Sequence, residues 1–512
     1  MKKLPIGLNS LEKIVKENKV YVDKTKYILQ LIENGDYYFL SRPRRFGKTL
    51  TVDVLMHLFE GHKELFEGLY IHDKWDWSKT YPVIRIDFSG GDFSSKKGFE
   101  ERVLTLLEKN EEKLEIKCEK KNPSNCFDEL ISKAYKKFNS KVVVLIDEYD
   151  KPILDNIEKQ ELAEELRDLL SNFYGVLKGL DENLRFVLLT GVSKFSKVNL
   201  FSKLNNLTDI TLSRRYSALC GYTEDELDVY FNDYLKDADR DKIKLWYNGY
   251  SWLGETVYNP YDILLFIYNE FSFRPYWFET GTPTFLMKMI RKERYFIPNL
   301  ENIEATDAIL GSFDVYSMKL EALLWQTGYL TIKDTHILPD GSNVYMLSYP
   351  NLEVRTSLNT HIINFLTGKD IKKTQLFNFL SDGDIEGFIE NLKSLFASIP
   401  YSNFTKNEIA RYEGFYGSVI YSYLASIGID LIGEDITNKG RIDLTVLFDN
   451  KAYIFEFKVL RKGEKLDKDP LTQIKEKRYF EKYRDKAKEI YLIGIVFSEE
   501  ERNIVKYMFE RC

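Results

Sequence analysis

Two sets of residues in this 512-residue chain have the types and spacing for chemistry on phosphorus. The first lies in "GRIDLTVLFDNKAYIFEFKV", residues 440–459. A two-residue turn at Asp449-Asn450 pairs Phe448 with Lys451 and Val446 with Tyr453. Carried outward, that register sets Asp443 opposite Glu456, with Lys458 two residues further along the same face. Opposed carboxylates repel each other on a sheet, whereas a divalent cation, Mg²⁺ or Mn²⁺, is bound well by paired oxygen ligands. A neighbouring lysine then positions or activates water, or stabilises charge developing on phosphate. The same spacing also describes an exposed hairpin face with Glu456 and Lys458 as a solvated ion pair, which would contribute little.

The second set begins with "RPRRFGKT", Arg42–Thr49, between a strand and a helix. Backbone N–H groups of such a loop, together with the helix N-terminus, hold phosphate oxygens. Lys48 would reach the β- and γ-phosphates of ATP and Thr49 would bind Mg²⁺, with Arg45, Phe46, Gly47 and Leu50 completing the cofactor loop. Arg42 stands where the pattern GxxxxGK[ST] has its first glycine. About a hundred residues later "VVVLIDEYD" ends a strand in Asp147-Glu148. Asp147 there would help hold the metal and Glu148 would polarise an attacking water, although an Asp-Glu pair also simply ends a strand. Thr190 or Ser193 in "LLTGVSK" could sense the γ-phosphate. Arg214 and Arg215 read either as an arginine finger or as a solvated pair.

These residues need particular elements to place them. The first two hundred residues alternate short apolar strands with helices, which argues for an α/β parallel sheet. From about residue 220 the texture becomes helical and aromatic-rich, opening on a capping box at Thr223–Glu226. "VYNPYDILLFI" and "LLWQTGYLTI" continue a helical lid with a small winged or hairpin element. Around the Asp443–Glu456 pair, "NEIARYEGFYGSVIYSYLASIG" reads as a helix with an apolar stripe of Ile409, Tyr416, Ile420, Tyr423 and Ile427. Glu413 lies in that stripe, and a carboxylate there needs a partner. Downstream, Asp469 and Pro470 open a helix that carries Gln473 and Lys477 on one face. The expected division is 1–220 for the parallel-sheet core, 221–345 for the lid, 346–400 for linking helices and 401–512 for a last α/β unit.

Composition sets wide bounds. Apolar residues make up 44 % and charged residues 30 %, as in ordinary globular proteins. The net charge of −6 gives no overall attraction to nucleic acid. Residues 441–490 carry 14 Lys and Arg against 10 Asp and Glu, a modest local excess that suits a phosphate backbone. Four scattered cysteines form no CxxC pair, and the five histidines show no metal-ligand spacing. No secretory signal and no apolar run of about 18 residues is present, which leads to a cytoplasmic expectation without membrane association.

The stretches "YVDKT", "FLSRPRRFGKTLTVDVL", "VVVLIDEYDKP", "LTGVSKFSKVNLFSKLNNLTDIT", "LCGYTEDEL", "WYNGYSW", "VYNPYDIL" and "TGTPTFL" resemble the AAA-ATPase-like domain of a large bacterial and archaeal family of predicted ATPase–nuclease proteins. "GRIDL", "YIFEFKV" and "QIKEKRYFEKY" resemble the PD-(D/E)XK domain that accompanies it. The resemblance implies an ATP-binding parallel-sheet core, a helical lid and a restriction-endonuclease-like C-terminal core. It further implies that Asp443 and Glu456 hold Mg²⁺ or Mn²⁺, that Lys458 is the catalytic lysine, that Glu413 is the helix acid and that Gln473 supports from the next helix. DNA or RNA is the substrate so implied, with the ATP site governing assembly or access and a homo-oligomer possible. The competing expectation is an ATP-switched module that binds nucleic acid or protein without cutting it.

Overall fold

Continuous runs of β-branched and apolar residues build the first sheet, because a parallel strand buried on both faces needs no polar alternation. The computed structural model describes residues 1–194, 204, 206–281, 284–293, 295–311, 319–400 and 413–512. In it β1 (Tyr37–Ser41), β2 (Val83–Asp87), β3 (Val142–Asp147), β4 (Leu184–Gly191) and the two-residue β5 (Thr208–Asp209) form a sheet in the order β2-β3-β4-β1-β5. All its pairings are parallel. All six residues of β3 are buried, and β4 lies at the middle of the sheet.

By internal contacts the chain divides into two compact units, residues 1–281 with 304–351, and residues 282–303 with 352–512. The expected core and most of the expected lid fall in the first unit, whereas residues 282–303 of that lid fall in the second. The helices expected as links, Leu352–Thr367, Lys373–Asp382 and Ile385–Ala397, fall in the second. Within the first unit, the lid helices Glu224–Leu235, Arg240–Tyr247 and Pro260–Tyr268 share an apolar cluster with Val20 and Val22 of the N-terminal segment. Thr223 caps the first of them through a reciprocal capping box with Glu226. The hairpin element of the lid is β7 (Thr331–Ile337) with β8 (Asn343–Ser348), to which β6 (Ile303–Thr306) adds a third strand.

The second unit contains a mixed sheet in the order β13-β12-β11-β10-β9. Its strands are β9 (Asp430–Thr437), β10 (Gly440–Phe448), β11 (Lys451–Leu460), β12 (Glu489–Ser498) and β13 (Asn503–Arg511). β11 and β12 run parallel and the other pairs antiparallel. One face packs Ile442, Ala452, Ile454 and Leu492 against Ile474 and Tyr483. On the other, Phe455 meets Phe388, and Phe497 lies between Tyr416 and Phe457. The sheet is therefore covered on both sides. The Glu413–Ala425 helix is buried all round from Phe415 to Ala425, so the expected single apolar stripe is corrected to a wholly enclosed helix. Ile409, and the part of that helix expected before Glu413, lie outside the described residues. Among the described residues no helix is long and apolar enough to cross a membrane.

Candidate nucleotide and metal sites

In the first unit the loop after β1 turns into the Lys48–Glu60 helix through two residues of positive φ, Arg45 at 68° and Gly47 at 99°. A cavity of about 430 Å³ opens at this helix start, lined by Arg45, Phe46, Gly47, Lys48, Thr49, Leu50 and Glu148. Its volume is that of a small-molecule site. Pro5, Leu8, Val22, Tyr222, Tyr261 and Leu264 supply a less polar end. The Phe46 ring itself turns inward, edge-on to Tyr250 and Trp252, so its contribution to the cavity is mainly backbone.

Arg42 explains the departure from the glycine pattern. Its guanidinium is wholly buried and donates to the carbonyls of Ser41, Thr211 and Tyr216. It also lies over the Trp252 ring at 4.1 Å. The side chain ties the phosphate loop to the segment after β5 instead of facing the cavity. Lys48 donates to the carbonyls of Arg42 and Pro43, both at 2.9 Å. Burial lowers its pKa, and the carboxylates of Asp147, Glu148 and Asp150 oppose that.

β4 lies between β1 and β3, so Thr190 near its end stands between the loop and the acids. The Thr190 hydroxyl donates to Asp147 Oδ1 at 2.5 Å, and the Glu148 N–H donates to the same oxygen at 3.0 Å. Asp147 Oδ2 is buried with no hydrogen-bond partner among the described residues. Asp147 is fully buried and is not part of the cavity wall, whereas Glu148 is. Burial raises the pKa of Glu148. Ser193 is occupied by Asp150, which accepts its N–H at 2.6 Å and its hydroxyl at 2.5 Å. Arg214 and Arg215 are exposed on a 3₁₀ turn.

In the second unit, Asp449 and Asn450 both adopt positive φ, 49° and 58°, as a two-residue hairpin turn requires. The expected register holds from Phe448–Lys451 to Leu444–Phe455. The next position outward is Asp443–Glu456, where backbone pairing has stopped. There Asp443 Oδ2 accepts the N–H of Phe457 at 2.6 Å. The β9–β10 ladder also omits Asp443, passing from Ile442–Asp435 to Leu444–Gly433. The skipped partner, Glu434, has φ of 54° and pairs with Arg441.

Glu456 is 2 % exposed. Its Oε1 accepts from Gln473 Nε2 and lies 3.6 Å from Lys458 Nζ. Its Oε2 is buried with no hydrogen-bond partner among the described residues. Gln473 reaches it from the Pro470–Lys477 helix, which Asp469 caps through the N–H groups of Leu471 and Thr472. Burial raises the pKa of Asp443 and of Glu456, and each is raised further by neighbouring carboxylates, Glu413 among them. Glu413 is itself raised, by burial first. The carboxyls of Asp443, Glu456 and Glu413 therefore share one field with a single lysine, Lys458. Glu434 adds to it, and the sequence pattern did not single this residue out. Its only advance signal was the Gly433-Glu434 interruption of the β9 alternation.

A family model described as "Predicted AAA-ATPase" matches residues 5–201, and one described as "PD-(D/E)XK nuclease superfamily" matches residues 411–507. The chain belongs to the proteins that join these two domains. It is 48 % identical over 517 residues, 99 % of each chain, to the "Uncharacterized protein in vnfD 5'region" of Azotobacter chroococcum mcd 1. No solved structure matches it.

Proposed function

We propose that the second unit is a Mg²⁺- or Mn²⁺-dependent phosphodiesterase acting on DNA or RNA, and that the first binds and hydrolyses ATP to govern assembly or access to that site. The observation that carries the reading is the bare Oε2 of Glu456, buried beside Asp443 and Lys458. A buried carboxylate oxygen without a donor is costly, and a hard divalent cation is the partner that two acids suit. Asp443 and Glu456 would hold the ion, which when bound supplies Lewis-acid polarisation of a phosphoryl oxygen. Gln473 orients Glu456 through the Oε1 contact. Lys458 positions water or stabilises phosphate charge, and Glu413 sits where a helix acid can restrain both.

In the first unit, the residues also suit their cofactor. The start of the Lys48–Glu60 helix offers N–H groups to phosphate oxygens. Lys48 would leave the Arg42 and Pro43 carbonyls for the β- and γ-phosphates. Thr49 and Asp147, with its bare Oδ2, would hold Mg²⁺, and Glu148 would orient water for attack on the γ-phosphate.

The test is cleavage of plasmid, single-stranded DNA and RNA, with metal and nucleotide varied together. Metal-dependent cleavage of at least one substrate supports the proposal. Absence of cleavage under every combination, with nucleic acid still bound, would favour an ATP-switched binding module instead.

A further inference from the structure

The first unit holds a group of metal-ligating side chains at the far end of the phosphate-loop helix, outside both sites above. His57 lies in the last turn of the Lys48–Glu60 helix, Glu60 ends it, and Gly61 closes it with φ of 83°. That left-handed turn brings the chain back, so that the His62 N–H bonds the His57 carbonyl at 3.1 Å. As a result the two imidazoles meet, with Nδ1 to Nδ1 at 2.8 Å. Glu60 Oε2 is 3.8 Å from His62 Nδ1, and one ligand atom from each of the three residues lies within 4.8 Å of the others.

The surroundings orient the set. His57 is 8 % exposed, and its Nε2 lies 3.6 Å from Asp53 Oδ2. Asp53 is fixed by Arg85 at 3.0 Å and by the Leu11 N–H at 2.8 Å. A carboxylate at Nε2 favours the proton there and leaves Nδ1 as a lone pair, the arrangement that metal-bound histidines show. His62 is 43 % exposed at its side chain, which leaves an open side. The other oxygen of Glu60 pairs with Lys113.

We infer that His57, His62 and Glu60 form a binding site for a borderline divalent ion, Zn²⁺ by preference, at the C-terminal end of the phosphate-loop helix. Two nitrogens and one carboxylate are a zinc ligand set, with the fourth position left to water. Zn–N bonds of about 2.0–2.1 Å at a tetrahedral angle set the nitrogens about 3.3 Å apart. In the 2.8 Å contact His62 Nδ1–H donates to the His57 lone pair; on binding it opens by about half an ångström and the His62 proton moves through solvent to the other ring nitrogen, a change that half-exposed His62 can make. Mg²⁺, which prefers oxygen ligands, would not compete here. The H-x-x-E-x-H spacing does not advertise the site, because it works only through the reversal at Gly61.

The experiment is a Zn²⁺ titration of the full metal-stripped chain in excess Mg²⁺, which occupies oxygen sites. The expected result is one Zn²⁺ bound per chain, weakened by at least about tenfold in His62→Ala and in Glu60→Gln. Cys118→Ser, which alters the separate group of Glu111, Cys118 and Cys126, should leave it unchanged, and Co²⁺ should give a visible spectrum without a thiolate charge-transfer band. His62→Ala alters a half-exposed ring, so its folding can be verified by circular dichroism while binding is read. Absence of Zn²⁺ binding, binding unaffected by His62→Ala, or a thiolate band would overturn the inference.

Discussion

The carboxylate of Asp443 accepts the backbone N–H of Phe457 at 2.6 Å, one position beyond the last ladder pair, Leu444–Phe455. A side chain thus replaces a carbonyl as the acceptor where β10 and β11 part. This anchors Asp443 beside Glu456 without a ladder pair between them. Asp443→Asn retains an acceptor for Phe457, so the fold should keep its stability while metal-dependent cleavage is lost. Asp443→Ala leaves that N–H without its acceptor and should cost about 1–3 kcal/mol in addition. Chemical denaturation of both variants beside a cleavage assay separates the two roles.

Burial and its neighbouring acids push the Glu456 carboxyl from 4.5 up to about 8. The folded state then holds more protons than the unfolded one between those values. Stability without metal should therefore fall as pH rises through that window, and Glu456→Gln should remove most of the fall. Mg²⁺ binding near neutrality should release a proton and strengthen as pH rises toward 8. Calorimetry in buffers of different ionisation enthalpy checks the release.

Arg42→Gly would restore the glycine of the common phosphate-loop pattern. It should weaken the protein nonetheless, because the carbonyls of Ser41, Thr211 and Tyr216 lose their donor and Trp252 loses its stacking partner. A loss of about 1–3 kcal/mol is expected for each buried carbonyl left without a donor, measured as a lowered denaturation midpoint with no gain in ATP affinity.

Lys48→Ala should abolish ATP binding. The wild-type chain should gain about 2.7 kcal/mol of stability at a nucleotide concentration one hundred times Kd, and the variant should gain none. Thermal unfolding with and without Mg·ATP measures both. Persistence of the stabilisation in Lys48→Ala would show that the loop after β1 is not the phosphate site.

The strands around both sites were legible because β1, β3 and β4 are continuous apolar runs and because Asp449-Asn450 signals a tight turn. The edge strands were not. In β9, Gly433 packs where a Cβ would lie 2.5 Å from Pro298, and Glu434 takes positive φ, so the alternation that marks a strand is broken. β13 is a mostly exposed edge in which Lys506, Glu510 and Arg511 interrupt the apolar residues, and its pattern resembles a surface segment. The Glu413 helix read as amphipathic because its enclosure comes from elements distant in sequence. Arg42 was illegible for the same reason, since Thr211 and Tyr216 reach it only in the fold, whereas the His57–His62 contact is local and depends on the reversal at Gly61.

The most direct test of the account compares wild type with Lys458→Ala in metal-dependent cleavage. Lys458 Nζ is 3.6 Å from Glu456 and 33 % exposed at its side chain, so its removal should leave the fold intact. The account predicts cleavage by the wild type with Mg²⁺ or Mn²⁺ and a loss of at least about a hundredfold in the variant. Equal cleavage by the two proteins would contradict it.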